Sequence, residues 1–250
     1  MPLSLATRQW GDGPRSILLL HGITSNARGW WRLGPDLADN GWLVVAPDLR
    51  GHGESPRGGD YALSSYTADV LALGGPWDAV LGHSMGGAIA VLASAEGSRF
   101  ARRLILHDPA LMIGATGAEE ALGWLLEPYE RPQTLEETIG ANPTWEPEDA
   151  RLKAESLLQC SADVVRATVY DNPDWTLIAE TVSVPMPTTV IGGDPGHGGI
   201  MPVTIGEWFA SESPLIDYVM LPGSGHSAHR ETASYDAYLS TVLAALEGAR

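Results

Sequence analysis

The chain has 250 residues, 44% of them hydrophobic, which suits one globular domain or one domain with an insertion. Its 15 Lys and Arg against 31 Asp and Glu give a formal net charge of −16, which disfavours nucleic acid and membrane surfaces as partners. The single cysteine excludes an intramolecular disulfide, and no Cys/His cluster predicts a metal site. The chain starts without a signal-peptide pattern and contains no run of 18 apolar residues, so a cytoplasmic protein is expected.

Short apolar runs predict six strands, at residues 16–20, 42–46, 79–81, 103–106, 188–191 and 215–221. Most of these runs lack polar alternation, which favours a parallel sheet covered on both faces. Helical composition or period lies between them, at residues 30–40, 64–73, 84–96, 200–211 and 232–247. The pattern therefore predicts an α/β fold.

The alternation of strands and helices stops between about residues 111 and 185, where helical patches occur without a convincing strand. No Gly/Ser-rich linker flanks this stretch, which favours an insertion over a separate domain. The predicted organisation is a core formed by residues 1–110 and 186–250 and a helical cap formed by residues 111–185.

The segment GHSMG, residues 82–86, places Ser84 between a predicted strand and a helix rich in small residues. A sharp turn from strand to helix strains the serine backbone, and flanking glycines remove the collisions that larger side chains would cause. Such a turn exposes the Ser84 hydroxyl and directs the N–H of Met85 towards developing negative charge. The segment therefore predicts a nucleophilic serine beside an amide donor.

Three further segments accompany GHSMGG: LLLHGITSNARGWW after the first strong strand, APDLRGHGES after the second, and GSGHSAHRE near the C-terminus. With these motifs in this order, nearly the whole chain resembles the α/β-hydrolase fold family. The resemblance implies a mostly parallel central sheet flanked by helices, an inserted helical cap and a Ser–acid–His triad. It also implies that the N–H of Ile23 is the second donor of the oxyanion hole, beside that of Met85.

A serine hydroxyl needs a base within hydrogen-bond reach, and His226 follows the last strand where the family carries its base. His229 is expected to cap the final helix or to be solvated. Asp194 is predicted as the acid because it fits the family's order of serine, acid and histidine. Asp108, at the end of the preceding predicted strand, is the alternative acid. The choice between the two stays open since strand-end aspartates also cap turns.

Aromatic residues near the predicted site suggest an apolar acyl pocket, with Trp31 preferred and Trp30 and Trp124 as further contacts. The predicted function is a serine hydrolase that cleaves a small, lipophilic carboxylic ester or lactone through an acyl-enzyme intermediate. Carbon–carbon bond hydrolysis, perhydrolysis and a non-catalytic ligand receptor stay open as alternatives. No phosphate-binding or dinucleotide motif follows a strand, so no cofactor is expected. The oligomeric state stays open, and a homodimer is one possibility.

Overall fold

The computed structural model describes residues 1–96, 99–131 and 134–248. Residues 97–98 and 249–250 of the predicted core, and residues 132–133 of the predicted cap, lie outside the described residues. The described strands form one sheet in the order β1-β3-β2-β4-β5-β6-β7. Strand β1 pairs antiparallel with β3, and every other neighbouring pair is parallel. The strands are β1 (Thr7–Trp10), β2 (Arg15–Leu20), β3 (Trp42–Pro47), β4 (Ala79–His83), β5 (Leu104–His107), β6 (Thr188–Gly193) and β7 (Ile216–Leu221).

All six predicted strands are present, with ends that differ by one or two residues. The prediction missed β1, whose first three residues are exposed. This strand lies at the edge of the sheet, where one side of the strand has no neighbour, so its sequence TRQW carries no apolar run. Its pairing with β3 depends on main-chain hydrogen bonds that side-chain patterning does not report.

Apolar clusters cover both faces of the sheet, as the continuous apolar strands predict. On β2, Ile17 and Leu19 pack in one cluster with Tyr238, whereas Leu18 and Leu20 pack in the other with Ile89. All four leucine and isoleucine side chains of this strand are fully buried. Alternate residues of a strand point to opposite faces, so burial of every residue requires a covering layer on each side.

Ten helices are described, and they fall into two groups. Those that flank the sheet are α1 (Leu33–Asp39), α2 (Leu63–Ala72), α3 (Met85–Glu96), α9 (Val203–Glu212) and α10 (Tyr235–Glu247). Those between β5 and β6 are α4 (Gly114–Glu130), α5 (Leu135–Ala141), α6 (Pro147–Gln159), α7 (Ala162–Tyr170) and α8 (Ile178–Val182), in the stretch for which a helical cap is predicted. Among the described helices, none is both long and apolar enough to cross a membrane.

The second helical patch of the predicted cap divides into α6 and α7. Cys160 has an extended backbone, and the Ser161 hydroxyl accepts a hydrogen bond from the Val164 N–H at 3.3 Å. Serine is a favoured residue at a helix start because its oxygen satisfies an otherwise free N–H group. The division leaves α6 as a separate helix, which contacts the loop that follows β2 through hydrogen bonds described below.

Candidate active site

Ser84 occupies the turn between β4 and α3 with a φ angle of +53°, a region that residues with side chains rarely adopt. The Ser84 N–H donates to the carbonyl of His107 at 3.1 Å, which ties the turn to the end of β5. A Cβ atom at Gly82 would lie 2.3 Å from the carbonyl oxygen of Gly86, and one at Gly86 would lie 2.2 Å from that of Leu20. The flanking glycines therefore allow three backbone segments to meet beneath the serine.

The N–H groups of Ile23 and Met85 are the two candidate donors for an oxyanion. Both residues line the same cavity as Ser84. Met85 is the first residue of α3, and the first N–H groups of a helix have no acceptor within that helix. Within the described part of the chain, neither N–H donates a backbone hydrogen bond. Both N–H groups therefore lack a backbone acceptor among the described residues, and their role as oxyanion donors stays a prediction.

The loop that carries Ile23 is fastened at the next residue, Thr24, which has a φ angle of +59°. The Thr24 N–H donates to His52 Nε2 at 3.3 Å. The Thr24 carbonyl accepts hydrogen bonds from Lys153 Nζ at 3.0 Å and from Ser156 Oγ at 2.8 Å, both on α6. This contact between Thr24 and α6 joins residues about 130 positions apart, and no local signal in the sequence indicates it.

Asp108, which follows β5, is the acid that contacts the candidate base. Its Oδ2 accepts from His226 Nδ1 at 2.6 Å and from the N–H of Ile200 at 2.9 Å. Its Oδ1 accepts from the N–H groups of Gly193 and Met201, each at 3.0 Å. Burial by itself would raise the pKa of this carboxyl, but the hydrogen bond and charge of His226, with those backbone donors, lower it. Asp108 is therefore held as a carboxylate against the imidazole.

The prediction that Asp194 is the partner of His226 is wrong, because His226 contacts Asp108 instead. Asp194 stands at the start of a short 3-10 turn, where its Oδ1 accepts from the N–H of Gly196 at 2.8 Å and its Oδ2 from that of Gly223 at 2.9 Å. The hydrogen bond from Gly223, and after it the one from Gly196, lower the pKa of the Asp194 carboxyl. The histidine beside this carboxyl is His197, whose Nδ1 lies 3.2 Å from Asp194 Oδ2. Asp194 therefore caps the turn that follows β6 and contacts His197, whereas the ring of His226 contacts Asp108.

His226 is placed by contacts at both its ring and its backbone. Its Nδ1 donates to Asp108, which leaves Nε2 with the lone pair that a proton acceptor needs. Its carbonyl accepts from His83 Nε2 at 2.8 Å, so the residue before the nucleophile fixes the backbone of the candidate base. Among the described residues, no hydrogen bond yet joins the Ser84 hydroxyl to the His226 ring. Such contacts often tighten only when substrate binds.

His229 is buried, so the prediction that it caps the final helix or is solvated is wrong. It lies before α10, with its ring 4.9 Å from that of Trp30, and its Nε2 accepts from Arg230 Nε at 3.2 Å. The side-chain nitrogens of His83, His107 and His229 lie within 4.8 Å of one another, the arrangement in the described chain that most resembles a metal site. The hydrogen bond from Arg230 occupies a lone pair of His229, and the arginine adds a positive charge, so these rings fit a metal cation poorly.

Ser84 opens into a cavity of about 360 Å³ whose lining includes residues of the helices α4, α7, α8 and α9. Of the described side chains that line it, only those of Ser84 and Glu120 are polar. The apolar lining includes Ile23, Met85, Leu111, Met112, Trp124, Leu125, Val169, Trp175, Met201 and Ile205. This volume and lining match a site for a small, mainly apolar molecule.

The three tryptophans predicted to contact substrate have different positions. Trp124 on α4 lines the cavity and is more than half exposed, as expected of a residue at its mouth. Trp30 is buried in the apolar cluster on the opposite face of the sheet from this cavity, and Trp31 lines a separate, smaller surface pocket. Predicting both as contacts in this cavity was wrong, because Trp30 packs in an apolar cluster and Trp31 lines a different pocket.

One buried carboxylate, that of Asp149, has no role in this arrangement. Asp149 on α6 is 1% exposed, and neither of its oxygens accepts a hydrogen bond among the described residues. Burial raises the pKa of Asp149 to about 6, although the positive charge of buried Arg230 opposes this shift. The group is therefore partly neutral in the folded protein near pH 6.

Comparison with known proteins gives a consistent result. Residues 17–238 match a family model described as the alpha/beta hydrolase family. Lipase LipV of Mycobacterium tuberculosis is 35% identical over 133 residues, which cover 50% of this chain and 49% of the lipase. N-formylmaleamate deformylase of Pseudomonas putida is 27% identical over 234 residues, which cover 87% of this chain and 84% of the deformylase.

The chain spans about a third to a half of the length of the first curated relatives that it matches. Two solved structures are similar over nearly their whole length. An esterase from Exiguobacterium antarcticum superposes with a TM-score of 0.80 at 17% identity, covering 97% of this chain and 95% of the esterase. An N-formylmaleamic acid deformylase from Pseudomonas putida superposes with a TM-score of 0.78 at 24% identity, covering 94% of both chains. At these identities the superpositions establish the fold alone.

Proposed function

Since the chain belongs to the alpha/beta hydrolase family, we propose that it is a serine hydrolase that cleaves a small, lipophilic carboxylic ester or lactone through an acyl-enzyme intermediate. The observation that carries this proposal is the contact of His226 with the buried carboxylate of Asp108. Asp108 and Ser84 both follow parallel strands at their carboxyl ends, where Ser84 opens into an apolar cavity. The lipase and esterase among the similar proteins agree with this reaction class.

In the first half of the reaction, His226 Nε2 takes the proton of the Ser84 hydroxyl while Oγ attacks the ester carbonyl carbon. The carbonyl oxygen becomes an oxyanion that the N–H groups of Ile23 and Met85 face. His226 then donates its proton to the leaving alkoxide as the carbon–oxygen bond breaks, which releases the alcohol and leaves the acyl group on Ser84. For a lactone, the alcohol remains attached to the acyl chain.

In the second half, His226 takes a proton from water, and the resulting hydroxide attacks the acyl carbon. Collapse of the second oxyanion returns the proton to Ser84 and releases the carboxylic acid. Throughout the cycle Asp108 remains ionised, since its pKa is lowered in the folded protein, and its charge stabilises the positive ring that His226 becomes in the transition state.

The test is hydrolysis of p-nitrophenyl butyrate by the wild-type protein and by Ser84→Ala, with labelling by a fluorophosphonate probe as a second measurement. We expect Ser84→Ala to lose both turnover and labelling while it retains the wild-type melting temperature. Full turnover by Ser84→Ala would refute the proposal. A wild-type protein that binds esters but neither turns them over nor reacts with the probe would indicate the ligand receptor instead.

A second candidate is hydrolysis of an N-formyl amide. The deformylase relative is similar over 87% of this chain, a larger share than the lipase covers. The same residues would act on such an amide, with His226 protonating the leaving nitrogen in place of an alkoxide. Release of formate from N-formyl amides, at a rate exceeding ester turnover and abolished by Ser84→Ala, would favour this candidate.

A further inference from the structure

Helix α4 presents one face to the cavity, and Glu120 is part of that face. Gly117, Glu120, Ala121, Trp124 and Leu125 all line the cavity, with spacings of three, four, seven and eight residues from the first of them. Side chains at these spacings lie on one side of an α-helix. The helix therefore fixes the Glu120 carboxylate at the cavity and directs its neighbour elsewhere, since Glu119 Oε1 accepts from the Tyr170 hydroxyl at 3.3 Å.

Glu120 is the one charged side chain among the described residues that line this cavity. The described lining contains no lysine, arginine or histidine that would offset it. Glu120 is exposed whereas Ser84 is buried, so the charged residue lies at the solvent side of a cavity whose other described lining is mainly apolar. Apolar walls concentrate the field of such a charge along the cavity, and the chain's formal charge of −16 acts in the same direction.

Resting on the proposed serine hydrolase function, we propose that Glu120 sets the charge selectivity of the site. Acyl chains that carry a carboxylate at the end remote from the ester carbonyl are rejected, whereas neutral chains and chains that end in a cation are accepted. The effect is assigned to the acyl group because this group becomes bonded to Ser84, which lines the cavity, and stays bonded until water releases it. The substrate class is thus an ester or lactone with an uncharged or cationic acyl chain.

The expected size of the selectivity follows from Coulomb's law. A carboxylate that approaches Glu120 to about 8 Å, in a medium with an effective dielectric constant of about 40, is disfavoured about fivefold relative to a neutral group. A trimethylammonium group at the same place is favoured by a similar factor. Because Glu120 is exposed, both factors shrink as salt shortens the range of the field from about 30 Å at 0.01 M to about 3 Å at 1 M.

The test compares three acyl donors of similar length: mono-p-nitrophenyl glutarate, its neutral methyl ester, and p-nitrophenyl 4-(trimethylammonio)butanoate. For each protein, kcat/KM is measured for all three at low and at high salt. In Glu120→Gln, the ratio of kcat/KM for the anionic ester to that for the neutral ester should rise about fivefold, and the corresponding ratio for the cationic ester should fall. Both changes should diminish in 1 M NaCl.

Glu119→Gln is the matched control, since it removes the same charge from the adjacent residue, which does not line the cavity. Its ratios should equal those of the wild-type protein. Equal ratios in Glu120→Gln and wild type, with hydrolysis that still depends on Ser84, would overturn this inference alone. Equal shifts in both glutamine variants would also overturn it, because they would assign the selectivity to net charge. Hydrolysis of the neutral ester that persists in Ser84→Ala would overturn the proposed function instead.

Discussion

Replacing Asp108 by asparagine tests the assignment of the acid most directly, because the carboxylate has four hydrogen-bond donors around it. His226 and the N–H of Ile200 donate to Oδ2, and the N–H groups of Gly193 and Met201 donate to Oδ1. Asparagine has one oxygen and one NH₂ group. Whichever way its amide is turned, the NH₂ faces two donors, so two hydrogen bonds are lost together with the negative charge.

The loss of charge removes the group that stabilises protonated His226 in the transition state. In a triad, this change lowers kcat by about 10⁴-fold, which corresponds to roughly 5 kcal/mol of activation free energy. The two unsatisfied donors lower the free energy of unfolding as well, by about 1–3 kcal/mol for each buried group. Activity and thermal unfolding must therefore be measured on the same preparation, below the melting temperature of the variant.

Asp194→Asn is the control, because Asp194 is the other strand-end aspartate and its backbone partners lie in a more exposed turn. Its kcat for p-nitrophenyl butyrate should stay within about threefold of the wild-type value, since the residue has no contact with His226. The reasoning would be refuted if Asp194→Asn lost activity by 10³-fold or more while Asp108→Asn, folded at the assay temperature, kept it.

Two further predictions concern backbone donors and a buried charge. Ile23→Pro removes one N–H group and should lower kcat by about 10²–10³-fold. The control Ile23→Ala keeps the N–H group and should keep much of the activity. Equal kcat values in the two variants would exclude this amide from the oxyanion hole. Asp149→Asn should raise the free energy of unfolding at pH 7.5 by about 1–3 kcal/mol, as measured by urea denaturation at several pH values. Burial raises the pKa of Asp149 to about 6, so this group binds more protons in the folded state than in the unfolded state between about pH 4 and 6. Its contribution to wild-type stability therefore falls as pH rises through that window. The advantage of the variant should disappear at pH 4, and an advantage that does not change with pH would contradict this account.

The sequence was sufficient for the parallel strands of the sheet and for the turn at Ser84 because both depend on local patterns. Continuous apolar runs identify buried parallel strands, and small residues around a serine identify a turn with no room for side chains. The edge strand β1 has neither signal. It is defined by pairing with β3, which brings together residues about 40 positions apart.

The choice of acid depended on information that the sequence carries only weakly. Asp108 and Asp194 both follow apolar strands and both precede proline. What separates them is the surroundings of each carboxylate, since one is fully buried among four donors and the other caps a turn. The glycine that follows Pro195 is a turn signal and gave some indication of the capping role. Trp30 and Trp31 show the same limit, because closeness in sequence to the loop of Ile23 does not determine the direction of a side chain.

The hydrogen bonds from Lys153 and Ser156 to Thr24 bear on how such a protein can be re-engineered. A chimera that exchanges residues 111–185 for the corresponding segment of another hydrolase would alter the walls of the cavity. At the same time it would remove the hydrogen bonds that hold the loop carrying Ile23. Acceptance of a new substrate and speed of bond cleavage would then change together. Transplants that retain a donor at each of these two positions should preserve turnover, while the remaining helices are free to diverge.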